Sequence, residues 1–243
     1  MDCLRIASLI IAVTAAGAAR ADDNLRALLV TGGHDFDRPP FEEMLAAIRG
    51  VTFTEVAQPD AAAWFAADKR GEYDVIVLYD LWQDITDEGK RGLLEAIESG
   101  KGVVVLHHAL GSYDKWEEWH RAIGGHFYMA DAVVDGERRP ASTWHEGVDI
   151  DVSIADTDHP ITRGIDPFTV HDEVYGGFWV SPDAHVLLTT DNPESGHDIA
   201  WTHECGKGRI ACIQLGHGAE AYGNATYREL VRRASTWVAG RLE

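Results

Sequence analysis

Residues 102–109 have the sequence GVVVLHHA, and this stretch decides the fold class. Its first part, Gly102–Leu106, is apolar at consecutive positions, which is typical of a strand that is buried on both faces. Similar runs occur earlier in the chain, at Arg26–Thr31 and Tyr73–Tyr79. Because helical patterns separate these runs, the sequence predicts a parallel sheet covered by helices on two sides, which is an α/β fold.

The rest of the chain extends this sheet. Helices are predicted at Pro39–Ile48, after Thr86 as far as Gly100, and at Ala225–Val238, because apolar residues recur there at intervals of three and four. The second half carries short alternating segments, which are typical of an antiparallel extension. Further strands are predicted at Val51–Val56, Thr143–Ile154, Phe168–Val174, His185–Thr190, Ile199–Thr202 and Arg209–Leu215.

The composition excludes several classes of partner. The chain has 243 residues, with 21 Lys and Arg against 40 Asp and Glu, and a formal net charge of −19. Nucleic-acid binding requires a basic surface, and so does docking on anionic lipid. Neither partner is expected. A small molecule remains as the expected ligand.

Residues 1–21 are predicted to be a secretory signal. Arg5 precedes the apolar run Ile6–Ala19, and residues 19–21 (Ala-Arg-Ala) have the small side chains of a cleavage site. A membrane anchor is the alternative, but this run is shorter than the roughly 20 residues that span a bilayer. The mature chain is therefore expected to be a single periplasmic or secreted domain, residues 22–243.

Two cysteines, Cys205 and Cys212, remain in that mature chain. They flank Gly206–Arg209, which has the composition of a hairpin turn. An oxidising compartment would permit a disulfide across the hairpin, and two reduced thiols are the alternative. Neither arrangement makes a disulfide scaffold or a thiolate zinc site.

Polar residues follow three of the predicted parallel strands. His34 comes soon after the first, Asp80 ends another, and His107 and His108 follow Leu106 directly. In open parallel sheets, ligands bind beyond the carboxyl ends of the strands. We therefore expect these side chains to meet at one edge of the sheet. Adjacent residues of an extended chain point opposite ways, so only one of the two adjacent imidazoles is expected to face the site.

The sequence at the same strand ends argues against a tightly bound NAD or ATP and against a nucleophile elbow. The first turn, Gly32–Phe36, lacks the three spaced glycines of a dinucleotide-binding loop, and the chain has no phosphate-binding loop with Gly-Lys-Ser/Thr. The turn at His107 is where a nucleophile elbow would carry Ser or Cys. Since Ser112 comes too late to serve, acyl transfer through such a nucleophile is disfavoured.

A second group of ionisable residues lies in the segment Val170–Val174. On a strand, His171 and Glu173 share one face, whereas Asp172 points to the other and is expected to need a structural hydrogen-bond partner. His171 and Glu173 could bind a divalent metal ion together with His107, or act as acid and base. A hydrogen-bonded polar network is the alternative, because no recognised zinc signature is present.

Aromatic residues are frequent in the polar segments. They are suited to stacking on sugar rings, although each could equally be a core residue. The residues concerned are Trp82, Trp116, Trp119, Trp144, Tyr175, Trp179, Trp201 and Tyr222.

Eight short motifs occur in series along the chain. They are Thr31–His34, Val105–Ala109, Gly124–Phe127, His159–Gly164, His171–Tyr175, Ala200–Thr202, Gly206–Arg209 and Leu215–His217. Their order and spacing resemble those of the ThuA-like (trehalose utilisation) family, over roughly residues 26–240. Each motif alone is weak evidence for the family, whereas the eight motifs in series are quite specific to it.

This resemblance implies a flavodoxin-like three-layer α/β sandwich similar to class I glutamine amidotransferases, with a mostly parallel central sheet and an antiparallel β extension. Those enzymes carry a Cys at the strand–helix turn and a His near the C-terminus. Here the turn holds His107, and His217 occupies the position of the other His. Because the thiol is missing, glutamine amidotransferase activity is not expected. The family is linked to disaccharide catabolism through 3-keto-sugars.

Two functions remain open from the sequence. The first is an enzyme that acts on a sugar or keto-sugar by acid–base chemistry, with or without a divalent metal ion. The second is a non-catalytic carbohydrate-binding or accessory protein. Ionisable residues converging in one pocket would favour the enzyme, and an aromatic groove without them would favour binding. The candidate site residues are His107, Glu173 and His217, with His34, His108 and His171 beside them.

Overall fold

A nine-stranded sheet organises the computed structural model, which describes residues 24–134 and 136–243. The predicted signal, residues 1–21, lies outside the described residues. Most of the predicted strands are present within a few residues of their expected bounds. The strands are β1 (Leu25–Gly32), β2 (Val51–Ala57), β3 (Val75–Asp80), β4 (Gly102–Leu106), β5 (Gly125–His126), β6 (Ala132–Val134), β7 (Glu137–Arg139), β8 (Thr143–Ile154), β9 (Phe168–Gly176), β10 (Trp179–Val180), β11 (His185–Thr189), β12 (Asp198–Cys205) and β13 (Gly208–Ile213).

Helices connect these strands. The α-helices are α1 (Arg38–Ala47), α2 (Asp87–Glu98), α3 (Glu117–Ile123), α4 (Ala219–Gly223) and α5 (Ala225–Val238), and short 3-10 helices span Asp60–Phe65 and His107–Gly111. The Thr86 hydroxyl caps α2 by accepting a hydrogen bond from the amide of Gly89, as its position in the sequence predicts. Within the described residues, no helix is long and apolar enough to cross a membrane.

The sheet has a parallel half and an antiparallel half. Its strand order is β2-β1-β3-β4-β13-β12-β11-β8-β9. Neighbouring strands run parallel from β2 as far as β13, and antiparallel from β13 to β9. The flavodoxin-like fold with parallel central strands and an antiparallel extension is confirmed, and the extension is as large as the parallel part, counted in strand pairs.

Helices cover both faces of the parallel half. Because successive residues of a strand point to opposite faces, neighbouring residues belong to different core layers. Leu29 and Val77 belong to the core layer shared with α1, α4 and α5. Leu28 and Ile76 belong to the other core layer, shared with α2, α3 and the 3-10 helix Asp60–Phe65. This double covering explains why the strands are apolar at consecutive positions.

The two cysteines do not form a disulfide. In the hairpin of β12 and β13, Cys212 lies opposite Trp201, and Cys205 lies opposite Gly208. Both thiols are free, and Cys212 is fully buried. The register therefore decides in favour of the two reduced thiols.

Candidate functional site

The carboxyl ends of three strands of the parallel half supply the imidazoles of the candidate site. His34 follows β1, His107 and His108 follow β4, and His217 follows β13. Because these strands run parallel, their ends meet at one edge of the sheet. The His107 and His217 rings lie 5.2 Å apart, and the His34 and His108 rings stack at 4.7 Å.

His107 lies in a turn of unusual backbone conformation. Its φ angle is +47°, in the left-handed region that side chains other than glycine rarely adopt. This is the conformation expected of a residue on a sharp turn from a strand into a helix, as in a nucleophile elbow. Residues 107–111 form a 3-10 helix rather than an extended chain. Of the two adjacent imidazoles, His108 lines the cavity described below, whereas His107 contacts Glu173 and Tyr175 and is not among the residues that line it.

Hydrogen bonds hold the His107 ring in one tautomer. The Nδ1–H group donates to the backbone carbonyl of Gln214 at 2.6 Å, and this acceptor requires the proton on Nδ1. The neutral ring therefore has a lone pair on Nε2, to which the Tyr175 hydroxyl donates at 2.8 Å. The same nitrogen lies 3.3 Å from Oε1 of Glu173. A proton or a metal ion could bind at Nε2 only in place of the Tyr175 hydrogen bond.

Glu173 is the buried carboxylate of the site. Its two oxygens face different imidazoles, since Oε1 lies near His107 and Oε2 lies 3.8 Å from Nε2 of His217. Burial acts to raise its pKa, but the neighbouring His107 and His217 hold that pKa below its ordinary value. Glu173 is therefore ionised at neutral pH although only 6% of its surface is exposed.

Asp172 positions the loop that carries His217. Its carboxylate accepts hydrogen bonds from the backbone amides of Gly216 at 2.6 Å and His217 at 2.9 Å. Gly216 has a φ angle of +114°, and a Cβ atom there would collide with the Tyr227 hydroxyl. Burial, and then the nearby His107, lower the pKa of His217, so its ring is neutral at neutral pH.

His108 and His34 form the opposite wall of the site. The Nε2–H group of His108 donates to the backbone carbonyl of Tyr79 at 3.3 Å. Burial, and then the neighbouring His107, keep the pKa of His108 well below its ordinary value. The Nδ1 atoms of both rings are buried without a hydrogen-bond partner among the described residues.

These side chains open into a cavity of about 440 Å³, which we call the main pocket. Its volume falls within the range of small-molecule sites. The exposed side chain of Trp144 lies at its mouth, beside Glu146 on β8. The lining residues are His34, Asp35, Leu81, His108, Phe127, Met129, Ser142, Trp144, Glu146, Glu173, Tyr175 and His217.

His171 does not belong to this site. It is exposed and pairs with Asp149 at 2.7 Å on the outside of the sheet. Residues 172–176 of β9 are all buried, so the face of the strand that is exposed at His171 is covered by other elements at Glu173. Strand alternation predicts which face a side chain occupies, but not where along the strand neighbouring elements begin to cover it. His217 takes the place that the sequence assigned to His171 in a metal-ligand set.

Asp80 ends β3 at the expected edge but does not line the main pocket. Its carboxylate is fully buried and accepts hydrogen bonds from the Tyr113 hydroxyl at 3.1 Å and the Gln58 amide at 3.4 Å. Burial raises its pKa to about 7. This residue therefore lies behind the site rather than in it.

Several lining residues were missed or left undecided by the sequence. Of the eight aromatic candidates, only Trp144 and Tyr175 line the main pocket. Trp116, Trp119, Trp201 and Tyr222 are core residues. Glu146, Met129 and Ser142 carry no sequence signal, because they come from a loop and an exposed strand that only the folded chain brings to the pocket.

The arrangement of His107, Glu173 and His217 permits two kinds of chemistry. Two imidazoles beside an ionised carboxylate can transfer protons near neutral pH. Their ligand atoms also all lie within 4.8 Å of one another, which is close enough to hold a metal ion. No cysteine lines the main pocket, so within the described residues the site lacks the thiol of an amidotransferase.

Comparison with known proteins places the chain in a sequence family. Residues 26–238 match the profile of the family described as trehalose utilisation (ThuA). Among proteins with curated functions, none matches the sequence.

Solved structures share the fold. A putative ThuA-like protein from Parabacteroides merdae has a TM-score of 0.74 at 20% identity, and the match covers 90% of this chain and 91% of that one. A cytoplasmic protein from Salmonella typhimurium has a TM-score of 0.62 at 16% identity, covering 88% of this chain and 99% of that one. A putative GMP synthase component from Thermoplasma acidophilum has a TM-score of 0.51 at 13% identity, covering 89% and 95%. At these identities, the similarity concerns the fold alone.

Proposed function

The chain belongs to the ThuA (trehalose utilisation) family, and on this basis we propose that it is an enzyme of carbohydrate catabolism that acts on a sugar or keto-sugar by metal-assisted acid–base chemistry. The single observation that carries the proposal is the cluster of His107, Glu173 and His217, whose ligand atoms all lie within 4.8 Å of one another and of which Glu173 and His217 line the main pocket. A non-catalytic binding protein would not need three buried or half-buried ionisable groups so close together.

The donor set of these three residues fits a divalent metal ion. Donor atoms at about 2.0–2.2 Å from a tetrahedral ion lie roughly 3.4 Å apart. The Glu173 oxygens lie 3.3 Å from the His107 nitrogen and 3.8 Å from the His217 nitrogen, which is longer than the roughly 2.8 Å of a charged hydrogen bond. The carbonyl of Gln214 orients His107 as second-sphere acceptors orient metal-bound imidazoles.

The chain's own residues would then bind and deprotonate the substrate. A divalent ion, when bound, would withdraw electron density from a carbonyl oxygen of the substrate. His34 lines the pocket beside the ligand set and is the residue that we assign to take the proton from the carbon next to that carbonyl. Return of the proton to another atom would give isomerisation, and loss of an oxygen substituent from the next carbon would give elimination.

The lining of the main pocket supports an uncharged carbohydrate. It contains three carboxylates (Asp35, Glu146 and Glu173) and no Lys or Arg, so a sugar phosphate would be repelled. Trp144 is 58% exposed at the mouth, where a large apolar side chain usually marks a binding surface. Its ring can stack on the C–H face of a sugar, while the nearby carboxylates accept hydrogen bonds from hydroxyl groups.

Export remains part of the proposal. The sequence of residues 1–21 favours a secretory signal, and the substrate would accordingly be a periplasmic or extracellular sugar. Amino-terminal sequencing of the protein recovered from the periplasm tests this part, with Asp22 as the expected first residue. Recovery of the chain with residues 1–21 intact in the cytoplasm would contradict it.

Metal analysis followed by substrate tests would decide the function. We expect the full mature chain, incubated with Zn²⁺, Mn²⁺ or Fe²⁺, to retain about one ion per chain after gel filtration, and to convert 3-keto-glycosides. The variant His217→Gln should lose the ion, whereas His171→Gln should retain it. Equal metal contents in both variants would contradict the proposed metal site. If the metal-loaded protein converted no 3-keto-glycoside, the proposed enzymatic activity would be contradicted.

A further inference from the structure

A second cavity lies on the far side of one wall of the main pocket. It consists of two adjoining hollows of about 300 and 110 Å³ that share Tyr128, Arg139 and Trp179, and we call it the side cavity. Its lining includes His120, Arg121, His126, Tyr128, Arg139 and Trp179. The chemistry proposed above uses none of these residues.

The wall between the two cavities is the segment 125–129. Phe127 and Met129 line the main pocket, whereas His126 and Tyr128 line the side cavity. This segment is held by the pairing of β5 with β10, in which His126 lies opposite Trp179. The side cavity is therefore separate from the main pocket and borders it along one extended segment.

Two residues that line the side cavity each have a buried nitrogen atom without a hydrogen-bond partner among the described residues. These atoms are Nδ1 of His120, a residue that is only 3% exposed, and Nε of Arg139. The His120 Nε2–H group donates to the backbone carbonyl of Tyr113 at 3.2 Å, so Nδ1 is an acceptor. Burial, and then the stacked His126 ring, lower the pKa of His120 to about 3, which keeps the ring neutral. Arg139 Nε is a donor, and unsatisfied buried groups of this kind commonly indicate a missing ligand or water.

The charges of the side cavity are already balanced. Arg121 contacts Glu117 at 3.3 Å, and Arg139 contacts Glu137 at 2.7 Å. An anion would therefore compete with carboxylates that are already in place. A ligand that both donates and accepts hydrogen bonds without carrying charge satisfies the free acceptor and the free donor together.

Three of the other lining residues are aromatic. Tyr128, Phe178 and Trp179 contribute rings to the larger hollow, and these rings can pack against an apolar ring face. Hydroxyl groups at the edge of a ring and C–H groups on its face are the combination found in a sugar. We infer that the side cavity is a second carbohydrate-binding site, which holds one uncharged sugar ring between Trp179 and the His120–Arg139 pair, separately from the main pocket.

Indole resonances can report the two sites individually. In ¹H–¹⁵N spectra of the full mature chain titrated with glucose and with trehalose, we expect the Trp179 indole N–H to shift saturably, and the Trp64 indole N–H to stay unchanged as an internal control. The Trp144 indole N–H reports the main pocket in the same spectra. A shift of Trp144 without any shift of Trp179 would overturn the side-cavity inference and leave the proposed function standing.

Two variants distinguish whether binding in the side cavity depends on hydrogen bonds or on the positive charge of Arg139. Arg139→Lys keeps the cation but removes the Nε donor, and His120→Phe removes the acceptor, so each should weaken the Trp179 titration at least fivefold while the Trp144 titration is unchanged. Retained titration in both variants would contradict the inference. A Trp179 shift with inorganic phosphate but not with glucose would also overturn it, because the cavity would then be an anion site. Thermal unfolding of each variant shows whether a loss reflects binding or folding.

Discussion

The two halves of the nine-stranded sheet contribute different things to the site. In the parallel half, every residue of β3 and β4 is buried, and the strand ends supply the four imidazoles of His34, His107, His108 and His217. In the antiparallel half, the first part of β8 is exposed, and β8 and β9 supply carboxylates and aromatic rings. The site forms only where these halves meet.

The parallel half therefore provides the stable framework of the site, and the antiparallel half determines its ligand specificity. The parallel half has helices on both faces and little freedom to vary without loss of packing. The antiparallel half carries Glu173 and Tyr175 inward and Trp144 outward, so it determines which ligand can approach the imidazoles. If this division is correct, substitution of Glu173, the carboxylate of β9 that lines the pocket, should change chemistry at constant stability, and substitutions in the buried strand β3 should do the reverse.

The largest effect is expected from Glu173→Gln. Loss of the carboxylate removes a metal ligand or a proton-transfer partner, so turnover should fall by a factor of about 10²–10⁴. Because the amide has the same shape, the denaturation midpoint should change little. The matched control is His171→Gln, two residues earlier on β9, which should keep full activity. Equal activities of the two variants on an identified substrate would exclude Glu173 from the mechanism.

Leu78→Ala tests the scaffold. Leu78 is fully buried in β3, and its truncation should lower the free energy of unfolding by about 2–5 kcal/mol, as measured by urea denaturation. Val148→Ala, in the partly buried part of β8, should cost about 1 kcal/mol or less. A larger loss from Val148→Ala than from Leu78→Ala would reverse the assignment of stability to the parallel half.

Asp80 makes the stability of the parallel half dependent on pH. Its pKa rises from an ordinary value of 3.8 to about 7 in the folded chain, so the folded state binds the proton more tightly. This contribution is fully present below about pH 4 and is lost as the pH rises through about 7. We expect a decrease on the order of 2 kcal/mol in the free energy of unfolding between about pH 5 and pH 8. Asp80→Asn should remove that decrease, and an unchanged pH profile in this variant would contradict the assignment.

Asp172→Asn tests the link between the halves. Asp172 on β9 accepts from the amides that follow β13, and an amide side chain can satisfy only one of them. We expect a loss of about 1–2 kcal/mol in stability, measured by urea denaturation, together with weaker metal retention through His217. Asp149→Asn, at an exposed carboxylate, should change stability by less than about 0.5 kcal/mol. Metal retention equal to that of the wild type would show that His217 is positioned by other contacts.

The smallest effect is expected from Trp144→Ala. This exposed residue contributes little to folding, so its loss should leave the denaturation midpoint nearly unchanged. Affinity for a sugar in the main pocket should fall by roughly five- to tenfold, which isothermal titration calorimetry would detect. Val133→Ala, another exposed apolar residue outside the pocket, serves as the control. An unchanged affinity in Trp144→Ala would remove the stacking platform from the site.

The sequence predicted the parallel half better than the antiparallel half. Strands β3 and β4 were recognisable because burial on both faces requires apolar residues at consecutive positions. The short elements α3, β5, β6, β7, β10 and α4 were not predicted, because their few residues carry no periodic pattern and tertiary packing decides their conformation.

The sequence by itself determined the α/β class, the polar residues at the strand ends and the absence of a nucleophile at the turn. Only the tertiary structure decided that His217 rather than His171 lies beside Glu173, that His108 lines the pocket while His107 contacts Glu173, and that Asp80 lies outside the pocket. The physical reason is that strand periodicity is a local property of the backbone. The covering of a side chain depends instead on where distant segments of the chain come to lie.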